Sequence, residues 1–245
     1  MTDETRIVPI EEPVPEYPAE YAGEGLDAAG EPTVQMSRLK VVQAMTDAEL
    51  KDQYGEGGVV IMPDALLVAA PGDRFTAHIV FLWQSFSKWR DLGDNQESPV
   101  VEETTNPKSP LAKRCLDWRN RTEPYADGTK REYRYVHAYN AYLWLPDAKM
   151  AAIASWSRGS HKIGRQLHQR ITATKAPVYA NVLSLWTERT KNKAGQPYWW
   201  LRWDAAGLVA PSDLDPWQQA YHQIRAAYDA ANLSTPPDDD EAASE

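Results

Sequence analysis

The stretch Glu132-Tyr133-Arg134-Tyr135-Val136-His137-Ala138-Tyr139-Asn140-Ala141-Tyr142-Leu143-Trp144-Leu145 decides the fold class. Tyr133, Tyr135, His137, Tyr139, Ala141 and Leu143 alternate with Arg134, Val136, Ala138, Asn140, Tyr142 and Trp144. A period of two with abundant rings is the pattern of a long β-strand. Rings stand on both faces, so the strand is either buried on both sides or presents aromatics to a ligand.

Working outward, Pro146-Asp147 predicts a turn into another strand over 150–157. Residues 160–172 read as a helix, with Ile163, Leu167 and Ile171 at i, i+4, i+8 and Lys162, Arg165, His168 and Arg170 around that stripe. Residues 177–190 and 196–203 read as two strands joined through Lys191-Asn192-Lys193-Ala194-Gly195, a hairpin with a basic tip. Asp215-Pro216 opens a last helix with Trp217, Ala220, Tyr221, Ile224, Ala227, Tyr228 and Ala231 on one stripe.

Toward the N-terminus, Ser109-Pro110 is a cap and first-turn pair, followed by the stripe Leu111, Cys115 and Trp118. Residues 91–106 are polar and read as a long loop, and Asp127-Gly128 reads as a turn. Phe75, Ala77, Ile79, Phe81 and Trp83 alternate, which predicts a half-buried strand with all five on one face. Shorter strands are expected near 38–43, 59–62 and 64–70, with a polar turn or helix running to Asp52. Some seven or eight strands and three helices in irregular order exclude repeated βαβ units. They predict an α+β chain, mainly antiparallel β, as a small barrel or twisted sheet with helical insertions.

The 245 residues carry a net charge of −9, which taken alone argues against nucleic acid. Located along the chain, the charge divides. Residues 1–32 hold −8 with five prolines, and residues 234–245 hold −5 after Pro236-Pro237, so both are expected to be disordered acidic arms. The intervening domain, 33–233, is +4. Within it, 148–203 holds ten bases against Glu188 alone, together with Trp156, Tyr179, Trp186, Tyr198, Trp199, Trp200 and Trp203. Cations that track phosphates, interleaved with rings that stack on unpaired bases, are the composition of a single-stranded nucleic-acid surface.

Catalytic patterns are lacking. His78, His137, His161, His168 and His222 have no metal-ligand spacing, and no Gly-x-Ser-x-Gly occurs. Asp64, Asp73, Glu102, Glu103 and Asp117 are scattered where a nuclease would need converging carboxylates. Gly55-Glu56-Gly57-Gly58 lacks the Lys-Ser/Thr ending of a phosphate loop. These readings predict a non-enzyme without metal or cofactor. The lone Cys115 excludes an internal disulfide and points to a reducing interior. With no basic-apolar leader after Met1 and no run of apolar residues near the roughly 20 a membrane helix needs, a cytoplasmic protein without a membrane partner is expected.

Ser37-Arg38-Leu39-Lys40-Val41-Val42-Gln43-Ala44, Gly164-Arg165 ahead of an apolar helix, and Tyr179-Ala180-Asn181-Val182 before a Gly-tipped, Trp-ending hairpin carry a resemblance. Over residues 37–205 the chain resembles phage-encoded proteins of replication modules, and with its acidic tail it resembles the single-stranded-DNA-binding proteins of bacteria and bacteriophages. The resemblance implies an OB-like barrel, a DNA-coating role in replication and recombination, and replication proteins as partners of the tail. The chain departs from that pattern in finishing Glu241-Ala242-Ala243-Ser244-Glu245, without a terminal aromatic or apolar residue.

The expected interface is then Arg158, Lys162, Arg165, Arg170, Lys191, Lys193 and Arg202 on phosphates, with Trp156, Tyr179, Trp186, Tyr198 and Trp200 supplying rings for bases. Trp199, Trp203, Ile163 and Leu167 are expected in the core, since alternation sets Trp199 and Trp203 opposite Tyr198, Trp200 and Arg202. A second reading, a virion or host-interaction protein, uses the same basic and aromatic surface to dock another protein.

Overall fold

The computed structural model describes residues 37–44, 46–90, 100–117, 122–124, 132–191 and 195–231. They form one α+β body built on a strongly curled, half-barrel sheet. In chain order the elements are β1 (Arg38–Val41), α1 (Ala48–Tyr54), β2 (Val59–Met62), β3 (Leu66–Ala69), β4 (Phe75–Arg90), β5 (Val100–Thr104) and α2 (Pro110–Asp117). They continue with β6 (Thr122–Pro124), β7 (Glu132–Leu145), β8 (Met150–Trp156), α3 (His161–Ala173), β9 (Asn181–Lys191), β10 (Pro197–Leu208) and α4 (Asp215–Ala231). The sheet runs β10-β9-β4-β7-β8-β1-β2-β3, with β5 added to β4 and β6 to β7. Every pairing is antiparallel except the contact of β1 with β8.

β7 lies between β4 and β8, and its two ringed faces are both covered. Ala141, Leu143 and Leu145 point into the main core, where Ile163, Leu167 and Ile171 of α3 meet them. On the opposite face, Tyr142 joins Phe81, Trp83 and Ile153 beneath Tyr221, Ile224 and Tyr228 of α4. The two helices therefore sit on opposite faces of one strand, which is why its alternation carries apolar residues in both phases.

Gly164 explains how α3 comes so close. A Cβ there would lie 2.6 Å from Trp156 Cβ and 2.7 Å from Tyr139 Cβ. Only glycine permits that approach without displacing the helix.

The five alternating residues of β4 do not share a face. The β4–β7 register slips between Ile79 and Phe81. Phe75, Ala77 and Ile79 lie in the main core, whereas Phe81 and Trp83 belong to the cluster under α4. One extra residue reverses the phase of everything after it. The polar segment expected as a loop over 91–106 also contains a strand, since Phe86 pairs with Thr104 and Lys88 with Glu102. β9 covers β4 only from Phe75 to His78, so the far half of β4 needs another backbone partner. Ladder bonds are made by the main chain, and a polar segment supplies them as well as an apolar one. Ser109 does cap α2, with the Ala112 N–H donating to its Oγ at 3.0 Å. Trp118, the turn at Asp127-Gly128 and both acidic arms lie outside the described residues.

The sheet's curl brings β10 back toward β1, and side chains bridge the seam. The Gln43 amide donates to the Trp199 carbonyl at 2.8 Å and accepts from the Trp199 N–H at 2.9 Å. The Trp156 indole N–H donates to the Leu201 carbonyl at 3.0 Å. Main-chain groups on the free edge of β10 thus find partners without another strand, which blunts that edge against pairing with other chains.

Candidate nucleic-acid interface

The β9–β10 hairpin sorts its residues by register. Tyr198 lies opposite Thr190, Trp200 opposite Glu188, Arg202 opposite Trp186 and Asp204 opposite Ser184. Cross-strand partners share a face, so these eight residues form one row. The other phase holds Trp199, Leu201 and Trp203 against Arg189, Thr187 and Leu185. This second phase is the inner one. Leu201 is buried, the Trp203 indole donates to the Ile163 carbonyl at 3.1 Å, and the Trp199 ring lies flat on Gly57. A Cβ at Gly57 would come within 2.6 Å of that ring, and the residue's φ of +90° independently calls for glycine.

On the outer row, rings and guanidinium groups are already engaged. The Arg202 guanidinium lies 4.8 Å from the Trp200 ring centroid, and its Nε contacts Glu188 Oε2 at 2.6 Å. Tyr198 meets Trp200 edge-on at 5.4 Å. Arg74, immediately before β4, lies 3.9 Å over the Trp186 ring. Its Nη1 reaches Asp204 Oδ2 at 3.0 Å and Ser184 Oγ at 3.2 Å. Exposed ion pairs contribute about 0–1 kcal/mol and exposed cation–π contacts about 0.5–1 kcal/mol. Stacking of an unpaired base contributes about 1–3 kcal/mol. The Trp186 end of the row therefore has a resting arrangement weak enough for a base to displace, whereas Trp200 is also anchored against the main core.

The expected site residues separate into distinct places. Trp186, Tyr198, Trp200 and Arg202 share the outer row. Arg158 sits at its border, in a 3-10 turn spanning Arg158–Ser160. The next residue, Gly159, would place a Cβ 3.5 Å from Tyr198 Oη and 3.6 Å from Trp200 Nε1. Arg158 takes φ +39°, a left-handed value uncommon for a side-chain-bearing residue. Lys162, Arg165 and Arg170 are exposed on α3, and Lys191 is exposed at the end of β9. Among the described residues, none of the three α3 cations has an ion pair.

Tyr179 is half-buried against α4, its ring 5.4 Å from that of Tyr221, away from the Tyr198–Trp200 pair. Trp156 requires correction. It is fully buried, with its indole tied to the β10 edge, so it presents no ring face to a ligand. Ala152 and Ala154, on its side of β8, are also fully buried and make room for α3. Lys193 lies outside the described residues.

Sequence reading missed Arg74 and Asp204. Arg74 stands far from the basic window and reaches the hairpin only because β4 pairs with β9. No local spacing signals a contact of that sequence separation.

His137, His161 and Cys115 belong to the interior, His78 and His168 are half-buried, and His222 is exposed on α4. His161 Nε2 and His137 Nδ1 are 3.0 Å apart, and His137 Nε2 lies 2.9 Å from Gln84 Oε1. Burial lowers the His168 pKa to about 4, against a smaller upward pull from a hydrogen bond to the Asn140 backbone. Burial pushes the Cys115 thiol up to about 12. A thiol so far from ionisation is a poor nucleophile. No helix among the described residues is long and apolar enough to cross a membrane. No protein-family model matches the chain, and neither does any curated protein or solved structure.

Proposed function

We propose that this chain binds single-stranded DNA without catalysing a reaction on it, in the manner of a phage-type replication and recombination protein. The observation that carries the reading is the outer row of the β9–β10 hairpin, where Tyr198, Trp200, Trp186 and Arg202 share one half-buried face that Arg74 also reaches. Rings at strand spacing stack successive bases, and Arg158, Arg202 and the exposed cations of α3 draw in the phosphates. The curled, mainly antiparallel sheet supports an OB-like reading of the body.

The acidic tail over 234–245 then acts as a tethered polyanion, competing with DNA for the cations and becoming available to replication partners once DNA is bound. Gel shifts with single-stranded, double-stranded and RNA probes test the assignment. Preferential retention of oligo-dT, with affinity falling steeply as salt rises, is expected. No shift of any probe at about 50 mM salt would contradict it. Removing residues 234–245 is expected to tighten binding at low salt, and unchanged affinity would remove the competition mechanism.

A further inference from the structure

We propose that Trp186 and Arg74 form a one-nucleotide subsite that Asp204 holds closed in the free chain. This deepens the single-stranded-DNA reading and rests on it. The Arg74 guanidinium lies 3.9 Å over the Trp186 ring, in the layer that a stacked base would occupy. Its Nη1 is held there by Asp204 Oδ2 at 3.0 Å and Ser184 Oγ at 3.2 Å. Three neighbouring strands supply the parts: Arg74 precedes β4, Ser184 and Trp186 are on β9, and Asp204 is on β10.

A nucleotide unit offers what both ends of this arrangement require. Its base replaces the guanidinium on the ring, and its phosphate replaces Asp204 as the anion facing the arginine fork. The Arg74 and Asp204 side chains are 53% and 58% exposed, so the exchange exposes no buried charge. Asp204 is therefore a gate, Arg74 a phosphate ligand and Trp186 a stacking platform. A pair serving only to tie β4 to β10 would give Asp204 no influence on affinity beyond its influence on folding.

Anisotropy of fluorescein-labelled oligo-dT, titrated with the full chain over a salt series, separates these roles. Asp204→Asn is expected to tighten binding several-fold at low salt. Asp147→Asn, which neutralises an exposed carboxylate in the β7–β8 turn, controls for net charge and should leave affinity unchanged. Arg74→Gln should weaken binding and flatten the slope of log K against log salt by about 0.7, the share of one phosphate contact. Trp186→Leu should weaken binding by about tenfold while the slope stays the same. In the Arg74→Gln background, Asp204→Asn should add nothing.

Asp204→Asn binding no tighter than the parent, with melting unchanged, overturns the gate. So does an equal gain from Asp147→Asn. If the parent binds oligo-dT and both Arg74→Gln and Trp186→Leu bind as it does, the subsite is wrong and the broader reading stands. If neither the parent nor any variant binds oligo-dT, the broader reading falls and the subsite falls with it.

Discussion

The two faces of the β9–β10 hairpin use the same residue type for opposite ends. On the inner face, the Trp203 indole donates to a helix carbonyl and the Trp199 ring lies flat on Gly57. On the outer face, Trp186 and Trp200 give their ring faces to arginines that are in turn paired with exposed or half-exposed carboxylates. The inner rings are fixed by packing that cannot relax without opening the curled sheet. The Trp186 ring is covered by contacts that exchange easily, while Trp200 is also held by packing against the main core. Composition counts all four alike, and only strand phase divides them.

Substitutions should break the two faces unequally. The largest expected effect is on the buried side, where Trp156→Ala removes a fully buried ring and leaves the Leu201 carbonyl without its donor. A loss of about 3–5 kcal/mol by chemical denaturation is expected. The matching outer change, Trp186→Leu, should stay within about 1 kcal/mol. Equal losses would mean that the outer ring also belongs to the core. Gly164→Ala sharpens the comparison with one methyl group, which would meet Trp156 Cβ at 2.6 Å and Tyr139 Cβ at 2.7 Å. It should cost about 1–3 kcal/mol by the same measurement, and a neutral result would show that α3 can lift from the sheet.

The narrowest effect is a titration confined to the inner side, visible only at acid pH. Because the folded pKa of His168 is about 4, below the ordinary 6.5, folding favours the neutral ring. Its contribution is complete above pH 6.5, declines as pH falls toward 4 and is flat below that. The loss should be on the order of 3 kcal/mol across that window. His168→Gln should flatten this part of the stability profile, and an unchanged profile would place the titration on another group.

Strand phase also explains how much of the molecule was legible in advance. β7, α3 and the hairpin were readable because their patterns are long and depend on residues close in sequence. The slip between Ile79 and Phe81 was not, since a bulge leaves the letters alternating while it moves them to the other face. β5 was hidden because a ladder is recruited through the main chain and its side chains stay largely exposed. Trp156 was drawn into the candidate interface by the charge of its surroundings, although Ala152 and Ala154 in the same phase mark a buried stripe. Arg74 and Asp204 had no local signal, because a non-local strand pairing brings them together.

Photo-crosslinking of the full chain to oligo-dT, with the attachment points located by mass spectrometry, tests the central claim most directly. The outer row is the predicted target, with adducts at Trp186, Tyr198 and Trp200 that disappear as salt rises. Adducts confined to other surfaces, or none at low salt, would contradict the assignment of the outer hairpin face to single-stranded DNA.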